Sequence, residues 1–281
     1  MTKQAELDAI YAKLARDYGK LNDAQVARAI KEVGRVRGDI AELLSEFAED
    51  NGTVKRQRLS RLLRELDGVE KLLREYGSAT ITEAIRLSSE FAVAGLNAGT
   101  ASIIGAPMVS AGIEKLNKQT VDYVIRRFGE DGLVLSDRVW GTSGEIRDSI
   151  SSVIRSGIIR GDNVGSMIRD VRKVYDAETW KIKRLVVTEG NTAYRVASAN
   201  SVRDSDVAKY VRINENGSRH GNHTNHKCYK LAQEDRYGEG KAIFLPTDTE
   251  IYLPHIQCSS FVTPVILDKY LTGDFGGSNE T

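Results

Sequence analysis

The chain has 281 residues, with 40 Lys and Arg against 39 Asp and Glu, 41% hydrophobic residues and two cysteines. Such a length holds one or two domains and a sizeable core, and the near-balance of charge gives no global pull on nucleic acid, so any DNA contact has to be local. The most apolar stretch, "FAVAGLNAGTASIIGAPMVSAGI", is rich in Gly, Ala and Ser and includes Asn97 and Pro107, which argues against a membrane span and for close helix packing.

In chain order, Leu7, Ile10, Tyr11, Leu14 and Tyr18 form a first helical stripe that Gly19 is placed to end. A second stripe starts near Asp23, an expected N-cap, and runs through Val26, Ile30, Val33, Ile40, Leu43, Leu44 and Phe47 to a break at Asn51-Gly52. The third is the most regular: Leu59, Leu62, Leu63, Leu66, Val69, Leu73 and Tyr76 share a face, and Gly77 sits where a left-handed C-terminal residue belongs. The other faces carry Lys55, Arg56, Arg58, Arg61 and Arg64, a basic surface of the kind that is ordinarily solvated and is here a candidate for phosphate contacts. These stripes define a helical N-terminal region, 1–77, followed by a Gly/Ala-rich helical connector, 78–130.

In the next part, 131–204, Thr142-x-x-Glu145 has the form of a capping box, Ile146, Ile150, Val153 and Ile154 line one face, and Gly157 is placed as a stop. Asp162 or Asn163 then opens a short helix with Val164, Met167, Ile168, Val171 and Val174 on its face. A further helix is expected from Ile182 to about Val202. It contains Thr188 and Glu189, the latter a carboxylate among small and apolar neighbours, which reads as a structural partner for an arginine or a backbone amide, with a buried catalytic carboxylate as the alternative. Arg172, Lys173, Lys181, Lys183 and Arg184 add a second local basic surface.

From 205 to 267 the period changes. "KYVRIN", "AIFL", "EIYL" and "SFVTPVIL" are short β-branched and aromatic runs between polar turns, expected to form a small antiparallel sheet, and 268–281 reads as a disordered tail. The expected class is therefore α+β, a mostly helical N-terminal and central region with a small C-terminal β domain stapled by a metal. All four histidines and both cysteines fall in that domain: His220, His223, His226 and Cys228 in "HGNHTNHKC", then His255 and Cys258 in "LPHIQC". Thiolate and neutral imidazole are the ligands of tetrahedral zinc, and a Cys/His pair from each of two short segments closes such a site. Cys228, His255 and Cys258 are three expected ligands, and either His226 or His223 supplies the fourth. A Cys228–Cys258 disulfide is the competing pairing, and it needs an oxidising compartment, for which the polar start "MTKQAELDAI" offers no signal segment. A metal-dependent nuclease using the histidine-rich segment 220–228 is the enzymatic alternative, in which a His activates water.

Five segments, "LSDRVW", "SGIIRGDNVGSMIRDVRKVY", "RLVVTEGNTAYRVAS", "HTNHKCYKLA" and "LPHIQCSSFVTPV", occur in the order seen in the minor head proteins of tailed phages, the head morphogenesis family that includes protein F of phage Mu. The resemblance covers residues 133–266, about half the chain. That family's C-terminal motif looks like R-T-C-P-x-C-x-x-L followed by H-P-x-C-R-C. Cys228 and Leu231 match its second cysteine and leucine, His255 and Cys258 its H-x-x-C pair, and Thr188-Glu189 its recurrent T-E pair, with Arg184 at a basic position just before. Asn225 stands where the family's first cysteine falls, and Ser260 replaces the last. Either His223 or His226 substitutes for the missing thiolate, or the fold is kept by packing without metal.

The resemblance implies a non-enzymatic minor virion component with a structural zinc, assembled in the bacterial host cytoplasm and held inside the head near the portal. It would act in head morphogenesis, DNA packaging or DNA ejection. The implied partners are the phage portal protein, capsid or scaffolding protein, and double-stranded DNA bound without sequence specificity. No membrane is expected.

Overall fold

The structure, a computed structural model, describes residues 2–129, 131–216 and 223–272. It is α+β: eight helices and a three-stranded antiparallel sheet among the described residues. The helices are α1 (Lys3–Val33), α2 (Val36–Glu46), α3 (Leu59–Ile104), α4 (Ile113–Arg126), α5 (Leu135–Arg160), α6 (Val164–Arg203), α7 (Lys227–Gln233) and α8 (Asp268–Thr272). The strands are β1 (Ala208–Asn214), β2 (Ile243–Phe244) and β3 (Phe261–Ile266). Contacts divide the chain into two compact units. One comprises Met1–Asp23, Ala84–Val124 and Val187–Thr281, the other Ala24–Glu83 and Ile125–Val186.

The second of these, the helical unit, packs apolar stripes from α2, α3, α5 and α6, with Ile40, Leu44, Leu62, Leu66, Ile150, Ile154, Met167 and Val171 buried. A stripe of this width needs partners on one side only, which leaves the opposite faces for charge. Between α2 and α3 the chain makes a bridge at Ala48 and Val54, and Thr53 pairs with Asn163. The α5–α6 junction is a Schellman turn: Gly161 is left-handed (φ +82°), and the N–H groups of Gly161 and Asp162 bond to the carbonyls of Ile158 and Gly157. Asn163 then caps α6, its side-chain oxygen accepting from Ser166 N–H at 2.8 Å.

Several helix boundaries differ from the sequence expectation. Gly77 and Gly157 lie inside helices. Gly157 lets a neighbouring side chain approach, since a Cβ there would sit only 2.7 Å from Met167, whereas one on Gly77 would make an ordinary contact with Val139 at 3.4 Å. α3 thus continues to Ile104 and α5 to Arg160. Gly19 and Asp23 are likewise interior to α1, which breaks at Gly34, where a Cβ would press within 2.8 Å of the Ile30 carbonyl. Thr142 and Glu145 are mid-helix. α5 starts at Leu135, where the Asp137 carboxylate accepts from Val134 N–H. The two helices expected around 164–174 and 182–202 are a single 40-residue α6.

In the sheet-bearing unit, the Gly/Ala-rich half of α3 packs tightly on the start of α1. Gly95 faces Leu14, and Gly99 faces Ile10 and Tyr11, with no room for a Cβ at either position. Tyr11 and Tyr18 reach hydroxyl partners on α3, Thr100 at 2.8 Å and Ser88 at 3.1 Å, so their buried phenols are satisfied. α6 is buried on all sides from Thr188 to Val202, the pattern of a central helix rather than a surface one. The sheet order is β2-β1-β3 with both pairs antiparallel, Val211 opposite Phe244 on one side and Pro264 on the other. Pro264, which lacks an N–H, is accommodated because β3 is an edge strand. The "EIYL" run is a 3-10 turn, Thr249–Ile251, not a strand; Asp248 accepts from Leu245 N–H and closes the turn before it.

Candidate metal centre

The first arm of the centre is the start of α7. His226 is its N-cap in extended conformation (φ −71°, ψ 144°), and Cys228 lies in its first turn. An extended residue followed by a helical turn brings side chains two positions apart to the same side, so the His-x-Cys spacing can converge on one ion. The second arm is the loop after the 3-10 turn. Cys258 N–H bonds to the His255 carbonyl at 3.2 Å, and Gln257 is left-handed (φ +55°), which folds the H-x2-C segment into a tight knuckle.

The two arms meet. Ligand atoms of His226, Cys228 and His255 all lie within 4.8 Å of one another, Cys228 Sγ is 3.2 Å from His255 Nε2, and the two imidazoles stand edge to face at 4.7 Å between centroids. A tetrahedral ion with bonds of about 2.0–2.3 Å separates its ligands by about 3.5 Å, so a small contraction would close the group. His255 Nδ1–H is directed at the Ile256 carbonyl, 3.0 Å away. With Nδ1 donating there, Nε2 is the nitrogen turned to the Cys228 sulfur and the one that would face a metal, the usual arrangement behind a metal-binding histidine. This group can hold a metal ion.

Cys258 stands behind the three as a fully buried thiol beside Cys228, with Ser260 Oγ 3.0 Å from its sulfur. Both cysteines are free, so no disulfide joins them. Hydrogen bonding from the Cys228 thiol holds Cys258 far below the ordinary thiol range, against the opposing effect of burial, with His255, Arg195 and Ser260 acting in the same sense as Cys228. The same bond, together with burial, pushes Cys228 up. His255 is raised by its hydrogen bond to Cys258, again against burial. Without metal, then, the Cys258 thiol is the more readily ionised of the pair, favoured by hydrogen bonds from Cys228 and His255. A divalent ion supplies the same charge compensation and needs those protons displaced.

The supporting shell comes from α6. Arg195, fully buried, donates from Nε to the carbonyl of Tyr252 at 2.7 Å, and from Nη1 to those of Cys258 at 3.1 Å and Ser260 at 2.8 Å. Asn191 Nδ2 also donates to the Cys258 carbonyl, at 2.7 Å, and its side-chain oxygen accepts from Asn22. Thr188 Oγ1 accepts from Gln257 N–H at 3.2 Å, and Glu189 is fully buried one position on. Arg195, Asn191 and Gln257 were not legible as site residues. In one sequence, a helical arginine that grips a distant loop has the same signature as one facing water.

His223 sits in the 3-10 turn His223–Asn225 ahead of α7, and His220 lies outside the described residues. Of the candidate DNA contacts, Lys55 is paired with Glu49, Lys173 with Asp170, and Lys181 with both Glu145 and Glu178. Arg56 caps the Ile159 carbonyl, Arg58 the Phe47 carbonyl, and Arg61 lies over the Phe47 ring. Arg64, Arg172, Lys183 and Arg184 are exposed. No helix among the described residues is long and apolar enough to cross a membrane. No protein-family model, curated protein or solved structure matches the chain.

Proposed function

We propose that this chain is a minor head protein of a tailed phage, associated with the portal vertex and acting in head morphogenesis, DNA packaging or DNA ejection, with a structural zinc held by His226, Cys228 and His255. One observation carries the reading: three of the segments on which the family resemblance rests meet at a single place. Thr188, Asn191 and Arg195 of the "TEGNTAYR" helix bond to Gln257 and Cys258 of "LPHIQC", whose His255 contacts Cys228 of "HTNHKC". Sequence segments that are separated along the chain and converge on one centre behave as a motif, since each constrains the others.

In this reading the metal is a staple. Joining the α7 start to the knuckle loop offsets part of the chain entropy lost in ordering them, and the small domain becomes a rigid body on the end of α6. The partners are the portal protein, with capsid or scaffolding protein in the procapsid, and double-stranded DNA touched through exposed arginines such as Arg64 and Arg172. Such phosphate contacts carry no base specificity and weaken steeply with salt.

A quantitative mass-spectrometric census of purified particles and procapsids from the encoding phage tests the assignment. The chain should appear at a few copies per particle, far below the major capsid protein. Its absence from both would end the head-protein reading and favour a nuclease, which would show as EDTA-sensitive nicking of plasmid DNA that disappears in His226→Ala.

A further inference from the structure

A cleft of about 380 Å³ opens in the sheet-bearing unit between α1, α6, the end of β1 and the start of β3, and no step of the metal account uses it. Its buried lining includes Tyr194, only 2% exposed, whose ring stacks on Tyr18 at 4.4 Å between centroids. The neighbouring polar groups are already committed: Tyr18 donates to Ser88, and both ends of the Asn191 amide are used, by Asn22 and by the Cys258 carbonyl. The Tyr194 hydroxyl has no hydrogen-bond partner among the described residues, yet it is not sealed from solvent. A buried phenol in that condition costs stability unless something bonds to it, so its opening to the cleft marks a place for a ligand atom. Burial pushes its ionisation up, which keeps it a phenol able to donate.

The rim selects the ligand. Arg16 on α1 and Glu215 just beyond β1 both line the cleft, and neither makes an ion pair or hydrogen bond with a described residue. A purely anionic ligand would meet Glu215 and a purely cationic one Arg16, so the cleft favours a ligand carrying both signs. Phe261 adds aromatic surface suited to the methylenes and charge of a basic side chain. Ala12, Ala15 and Gly19 leave the α1 wall smooth enough for a main chain to lie against.

We propose that this cleft binds a short peptide segment of a partner protein in which a basic and an acidic side chain are adjacent. The basic group meets Glu215, the carboxylate meets Arg16, and a main-chain carbonyl between them accepts from the Tyr194 hydroxyl. The site also touches the metal centre's support, since Ser260, on the cleft wall, contacts Cys258 through its hydroxyl and Arg195 through its carbonyl. The inference does not depend on the phage reading, because any partner of this chemistry satisfies it.

The test is an NMR titration of the full-length, metal-loaded chain, labelled at tyrosine, with the blocked dipeptide N-acetyl-arginyl-aspartyl amide. Versions with alanine at either position serve as single-charge controls, and the Tyr194 signal is assigned by its loss in Tyr194→Phe. The expected result is a saturable shift of Tyr194 and of Tyr18, whose ring lies against it, with affinity followed at Tyr18 about fivefold weaker in Tyr194→Phe, as for one lost hydrogen bond. Arg16→Ala and Glu215→Ala should each weaken binding about threefold, as exposed ion pairs do, and each control peptide should match the loss from its own variant. Tyr194→Phe keeps the ring and its stacking, and Arg16 and Glu215 make no ion pair with a described residue, so all three variants should fold. No saturable shift, equal binding of all three peptides, or binding unchanged in the variants would overturn the proposal.

Discussion

The guanidinium of Arg195, fully buried in α6, donates to the main-chain carbonyl of Cys258 at 3.1 Å. That bond, with two more from the same side chain to Tyr252 and Ser260, fixes the loop of the second metal-binding arm to the central helix. A side chain with five donors in a planar fork can satisfy three carbonyls that the irregular loop leaves without partners of its own. The geometry of the candidate centre is therefore set as much by α6 as by the segments that bear the ligands.

Replacing Arg195 by Met removes all three donors and leaves buried carbonyls unsatisfied, so the sheet-bearing unit should lose about 3–5 kcal/mol. Arg195→Lys should recover only part of this, since one ammonium cannot span the three carbonyls. Urea denaturation followed by far-ultraviolet circular dichroism measures both. Equal stability of wild type and Arg195→Met would mean that the loop is held by something else.

Glycines in α3 should split by environment. Gly95→Ala forces a methyl into Leu14 and should cost about 1–3 kcal/mol despite the better helix propensity of alanine. Gly68→Ala, with open space around its Cβ, should stabilise by about 0.5–1 kcal/mol. Thermal melts of the two variants side by side check the contrast, and a destabilised Gly68→Ala would contradict it.

The same glycines mark how far the sequence could be read. The apolar stripes of α2 and α3 and the strand runs at "KYVRIN" and "SFVTPVIL" follow from periodicity, because burial on one face leaves a pattern. Gly157 misled because a glycine that permits close approach and one that ends a helix look alike until the neighbouring helix is placed, and Gly77 because a helix also tolerates a glycine in its interior. Gly105, just after α3, and Gly161, just after α5, are the glycines that pair a positive φ with the turn bonds of a helix end. The centre was legible in its chemistry, since Cys228, His226 and His255 are rare residue types in two short segments. Its support was not. Arg195 is common in kind, and only the buried run from Thr188 to Val202, poor in charge, hinted that this helix has no solvent face.

In the metal-free protein, stability should depend on pH through the two thiols. Cys258 is held below the ordinary thiol value near 9, so its contribution is present above that value and is lost as pH falls toward the depressed folded value. Cys228 is raised, so its contribution is present below the ordinary value and is lost as pH rises above it. Together the thiols make stability climb from acid toward pH 9 and then fall, while the raised His255, whose contribution is present below its ordinary value near 6.5 and lost as pH rises above it, offsets part of the climb. Chemical denaturation of chelator-treated protein across that range should show the maximum, and Cys258→Ser should flatten the rise. A metal-free wild type without that rise would remove the thiolate from the account.

Metal removal should also loosen the sheet-bearing unit selectively. An ion binding the folded state contributes about 2.7 kcal/mol at a free concentration a hundredfold above its dissociation constant. Hydrogen exchange after chelation should rise in α7 and in the loop around His255, and zinc should restore protection. Uniform exchange with and without metal would show that packing alone holds these segments.

The most direct test is elemental analysis of the full chain, purified without chelator, by inductively coupled plasma mass spectrometry. The account predicts one zinc ion per chain, lost almost entirely in His226→Ala, Cys228→Ser and His255→Ala and retained in the exposed-surface control Arg64→Ala. A wild type that stays metal-free after refolding with zinc, or ligand variants that keep the full complement, would contradict it.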